Sequence, residues 1–115
     1  MKKNLFWKLR NAVVPLFSIG LLIGGSSTAL ALTDISAKVV HVEATYMPGA
    51  VTFVLDTGNS TCPAGTWVTW QKDVDNNKAV YTLLIAAVTS GRRIEFFIND
   101  GDTTCKGQFI HLTNG

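Results

Sequence analysis

The chain has 115 residues, with 10 Lys and Arg against 8 Asp and Glu, and 47% of it is hydrophobic. That length holds one domain and excludes two. Four of the ten basic residues lie in the first ten positions, so six bases face eight acids in the remainder and no basic stripe is left for phosphates; nucleic acid is not an expected partner.

Lys2, Lys3, Lys8 and Arg10 form a basic start with no acid before Asp34. Ala12 to Gly25 is then almost wholly apolar, and Ala29-Leu30-Ala31 places small residues where a signal peptidase reads. This order predicts a bacterial-type secretory signal peptide over residues 1–31. Pro15, Ser18 and several glycines interrupt the apolar stretch, which is shorter than the roughly 20 residues of a spanning helix. The mature chain, residues 32–115, is therefore expected to be one exported domain, periplasmic or secreted, without a membrane span. Its two cysteines, Cys62 and Cys105, would then meet in an oxidising compartment. No C-x-x-C spacing favours a metal or redox motif, so a disulfide is expected.

Residues 32–36 read as a loose leader. From Ala37 to Tyr46 the residues alternate, with Val40, Val42, Ala44 and Tyr46 on one face, which predicts a strand. Met47-Pro48-Gly49-Ala50 reads as a turn. Residues 51–56 form a second strand with Val51, Phe53 and Leu55 inward, completing a hairpin. A loop over 57–66 carries Cys62, and Trp67 to Gln71 is a short third strand. One helix is expected over about 77–90, where Ala79, Val80, Leu83, Leu84, Ala87 and Val88 repeat at helical spacing. Asn76 or Asn77 would cap its start and Gly91 its end, and Ile85 and Tyr81 beside the stripe suggest burial on more than one side. Residues 92–99 make a fourth strand with Ile94, Phe96 and Ile98 on one face. A turn follows at 99–102, then a fifth strand at 107–112. Three strands, a helix and two strands make a β-rich (α+β) domain, read as a small five-stranded OB-like barrel. A sandwich fits less well because the apolar helix falls mid-chain.

The stretch from Asn77 to Asn99 combines an apolar helix, a Thr89-Ser90-Gly91 stop and the aromatic-rich strand Ile94-Glu95-Phe96-Phe97-Ile98. It resembles a segment of the B subunits of subtilase-type bacterial toxins. The resemblance covers about a quarter of the mature chain. It implies an exported OB-fold binding module that assembles as a homo-oligomer, a pentamer in that family, and takes cell-surface glycans. No sugar-contacting residue of that family maps onto a position here.

Candidate chemistry is sparse. Asp56-Thr57-Gly58 follows three apolar residues, as in the active-site turn of aspartic proteases. That chemistry needs two aspartates sharing a proton, and the second signature is poorly matched by Thr89-Ser90-Gly91-Arg92. A turn after the second strand explains the same residues. His41 and His111 sit on separate strands without further ligands at metal spacing, so no metal and no cofactor are expected. Trp67 and Trp70, three apart on a strand, face opposite sides, leaving one outside for a sugar ring or a subunit contact. Trp67, Trp70 and Tyr46 are the candidate ligand-binding residues. Arg92 and Arg93 read as charges solvated near the helix end.

The expectation is a small exported binding module without catalytic activity, oligomeric and glycan-binding. The alternative is a structural or interaction protein of the envelope with a protein partner. A glycan binder calls for an exposed aromatic beside convergent polar side chains. An interaction protein calls for an apolar patch or an open strand edge.

Overall fold

The computed structural model describes residues 31–115; the expected signal peptide lies outside them except for Ala31. Five strands form one antiparallel sheet in the order β3-β2-β1-β4-β5. They are β1 (Leu32–Glu43), β2 (Val51–Leu55), β3 (Trp67–Trp70), β4 (Arg93–Asn99) and β5 (Gly107–Leu112). Helix α1 (Val74–Ser90) lies between β3 and β4 and packs chiefly on β1.

β1 differs from its expected extent and phase. Residues 32–38, expected as a loose leader and strand start, pair in register with β4, while 39–43 pair with β2. Between Val39 and His41 the register with β2 slips by one residue. Such a bulge shifts which side chains face inward. Ile35, Ala37 and Val39 are therefore buried, Val40 is 45% exposed, and Val42 packs against the core from the other phase. Ala44 and Tyr46 fall beyond the strand, Tyr46 in the turn that follows.

The other strands keep their expected faces. Val51, Phe53 and Leu55 of β2 and Ile94, Phe96 and Ile98 of β4 are buried, and Phe53 meets Phe96 edge-on at 5.2 Å. Val68 and Trp70 of β3 point in, while Trp67 points out. α1 starts three residues earlier than expected, because Asp73 caps it by accepting from the Asn76 N–H at 2.9 Å. Neither Asn76 nor Asn77 is the cap: Asn76 accepts from the Trp70 indole, and Asn77 is fully buried. Gly91 ends the helix at φ 72°, its N–H reaching Ala87 O at 3.0 Å, as expected. The buried stripe is narrower than the apolar repeat: Asn77, Val80, Leu84 and Ala87 are buried, and Ile85 is exposed.

Cys62 and Cys105 form the expected disulfide, with Cα atoms 5.9 Å apart. It ties the loop before β3 to the chain entering β5. Beside it Thr69 N–H donates to Cys105 O at 3.1 Å, and Thr69 bridges Lys106 in parallel. This is one bridge and not a ladder, so the sheet is not closed into the expected barrel. Side chains fill the seam instead. At Gly107 a Cβ would lie 2.4 Å from Phe96 Cε1 and 2.7 Å from Trp70 Cε3. Among the described residues no helix is long and apolar enough to cross a membrane.

Candidate functional site

The outward face of β1, β2 and β3 carries two cross-strand rungs. His41, Val54 and Trp67 form one; Glu43, Thr52 and Thr69 form the other. Side chains opposite one another on such rungs stand close enough to touch. The His41 and Trp67 ring centroids are 6.3 Å apart, and Val54 between them is only 6% exposed although it points away from the core. Trp67 itself remains 51% exposed.

Trp67 separates two open grooves. One, of about 590 Å³, is bordered by His41, Asp56 and Gly65 and floored by Val54. The other, of about 320 Å³, is lined by Glu43, Tyr46, Thr52 and Trp67. Both volumes lie in the range of small-molecule sites. Glu43 is held by two hydroxyls: Thr52 donates to Oε1 at 2.8 Å and Thr45 to Oε2 at 3.0 Å. Tyr46, 60% exposed, borders this groove from the β1–β2 turn.

That turn is clamped from beneath. Asn77 Nδ2 donates to Pro48 O at 2.8 Å, to Gly49 O at 3.1 Å and to Lys72 O at 3.2 Å. Its Oδ1 accepts from Lys72 N–H at 2.8 Å. Gly49 and Ala50 N–H in turn donate to Tyr46 O. The helix start thus fixes the backbone that presents Tyr46.

Trp67 and Tyr46, two of the three candidate aromatics, are brought together. Trp70 is not: it is 5% exposed, with its indole N–H on Asn76 Oδ1 at 2.8 Å and Lys72 Nζ 5.2 Å from its ring. Glu43 and Thr52 are not among the sequence candidates, and His41 is there only as a metal ligand, because only strand register puts the three beside Trp67. In the sequence, the alternation of His41 and Glu43 with Val40, Val42 and Ala44 is the one sign of their outward placement.

Trp70 borders a different groove, of about 430 Å³, between α1 and β5. β5 is the sheet's last strand and carries Phe109 at 55% and Leu112 at 40% exposure. Thr113 N–H bonds Arg93 O, and bonding alternates along an antiparallel pair, so Ile110 and Leu112 turn their backbone groups to the open edge. Phe109 packs edge-on to Phe97 at 6.4 Å, and His111 lies 5.4 Å from Phe97.

The remaining sequence candidates serve structure where they stand. Asp56 accepts from Lys38 N–H at 2.8 Å, which holds its carboxyl below the usual range. Slight burial opposes this; the Thr57 hydroxyl and the Arg93 and Lys38 charges assist it. Thr89 and Ser90, the other half of the protease-like pattern, belong to the last turn of α1. Arg92 donates to Asn114 O and Arg93 to Ser36 O. His41 and His111 lie on strands separated by β4, and among the described residues no group of three metal-ligating side chains forms. No protein-family model and no curated protein matches this chain.

Proposed function

We propose that this protein is an exported, non-catalytic OB-like module that binds glycans on the outward face of β1–β3. The observation that carries the reading is Trp67, half exposed between two grooves and flanked by Tyr46, Glu43, Thr52 and His41. An exposed indole offers a flat apolar surface to the C–H face of a sugar, and hydroxyl and carboxylate neighbours satisfy its polar rim. The OB-like assignment is supported by the order of three strands, a helix and two strands, and by the parallel bridge joining β3 to β5. In OB-folds the β2–β3 face and the β1–β2 loop form the usual ligand surface, which matches the placement of Trp67, Thr52 and Tyr46. Export is supported by the basic, apolar and A-x-A order of residues 1–31 and by the disulfide.

The test is a glycan array read with wild-type and Trp67→Ala protein. A central aromatic contact is worth about 2 kcal/mol, roughly 30-fold in affinity. Binding that survives Trp67→Ala at full strength refutes this surface. A second reading is favoured by β5: an open edge with exposed Phe109 suits a protein partner or a second copy adding a strand. A solution mass that is a multiple of the monomer and falls with Phe109→Ser supports it; a monomer that captures glycans does not.

A further inference from the structure

We propose that Glu43 restricts the ligand to sugars that offer two adjacent hydroxyl or amine donors and carry no acidic group. The inference rests on the Trp67 face being a glycan site. An ionised carboxylate accepts about four hydrogen bonds, two on each oxygen. Thr52 takes one position on Oε1 and Thr45 takes one on Oε2. One position on each oxygen is left. Two free acceptors on neighbouring atoms match two donors on neighbouring ring carbons, the vicinal pair of a hexose or an amino sugar. Trp67 and Tyr46, in the same groove, supply the surface for the ring itself.

Charge then selects among sugars. Glu43 lines one groove and Asp56 the other, and neither lining contains Lys or Arg. Lys38 and Arg93 lie close enough to Asp56 to favour its charged form, so part of that charge is answered. Among the described residues Glu43 is held by two neutral hydroxyls. A uronate, sialic acid or sulfate in this groove meets a like charge and finds no bidentate partner, the kind of mismatch that sets specificity. An ammonium or hydroxyl donor meets the opposite situation.

The experiment is a glycan array on disulfide-bonded wild-type protein at about 0.15 M salt, followed by titrations of Glu43→Gln and Thr45→Ala. Wild type is expected to retain neutral and amino glycans and to reject their uronate, sialylated and sulfated counterparts by at least tenfold. Glu43→Gln keeps one acceptor and removes the charge, so it lowers affinity for the retained glycans about tenfold and narrows the gap to acidic ones. Thr45→Ala keeps the charge, so it preserves the discrimination. Thermal melts confirm that each variant folds. Acidic glycans bound as tightly as neutral ones, or an unaltered Glu43→Gln, overturn the inference while a Trp67→Ala loss leaves the glycan site standing. An array without any hit, or displacement of the hit by an arginine-containing peptide at equal concentration, overturns both.

Discussion

Replacing Asn77 by Ala removes the one fully buried polar side chain among the described residues. Its amide has two hydrogens for three carbonyls, those of Pro48, Gly49 and Lys72, and its oxygen accepts from Lys72 N–H. Counting one bond per hydrogen and one for the oxygen gives three net bonds, at about 1 kcal/mol each. The expected loss is about 3 kcal/mol, against roughly 4–13 kcal/mol for a domain of about 85 residues. Urea unfolding followed by tryptophan fluorescence reads it as a lower midpoint at unchanged slope. A melt should fall by roughly 12–24 °C. Because Asn77 also fixes the turn beneath Tyr46, the folded variant should bind glycan less tightly. A loss under 1 kcal/mol would show that water replaces the amide freely and that the clamp does not hold the turn.

Reduction of Cys62–Cys105, or Ser at both positions, should cost about 4 kcal/mol by the loop-closure estimate for 43 intervening steps; an unchanged urea midpoint contradicts it. Gly107→Ala forces a Cβ into the Phe96 and Trp70 rings and should cost about 2–3 kcal/mol, whereas a change below about 0.5 kcal/mol would mean the seam yields. Asp56 and Asp102 both have carboxyls lowered in the folded state, Asp102 chiefly by the Thr104 hydroxyl. The folded chain then binds fewer protons than the unfolded one, so their contribution is present above the ordinary value of 3.8 and is lost as pH falls through their folded values. Stability at pH 3 should be lower than at pH 7, and Asp56→Asn should flatten part of that slope; equal stability at both pH values contradicts the assignment. Asp56 is exposed and Asp102 only partly buried, so solvent screening keeps the effect small.

Strands whose alternation runs unbroken were legible in the sequence. Val51, Phe53 and Leu55, and Ile94, Phe96 and Ile98, face the core as their spacing requires. β1 was misread because its apolar residues follow two phases, Ile35-Ala37-Val39 and then Val42, joined by a bulge that leaves no mark in composition. The helix start was displaced because Val74 to Asn76 lack apolar periodicity, and the capping of Asp73 decides the boundary there. Cys62 and Cys105 paired as expected because only two cysteines were available. The site was half legible. An exposed Trp67 follows from strand alternation with Trp70, but the neighbours that make it a groove come from cross-strand register. Sequence spacing within one strand does not contain that information. Tyr46 lines the groove beside Trp67 from a turn that Asn77 pins, and that side-chain clamp has no periodic signature.

The most direct test follows the indole N–H resonances of Trp67 and Trp70 while the best-binding neutral or amino glycan is added. The Trp67 indole is half exposed on the proposed face, and the Trp70 indole is committed to Asn76 inside the core. Saturable movement of the Trp67 resonance, with that of Trp70 held still, is the predicted result. Movement of Trp70 and of β5 amides with Trp67 unmoved would place the ligand in the groove between α1 and β5 and contradict the account.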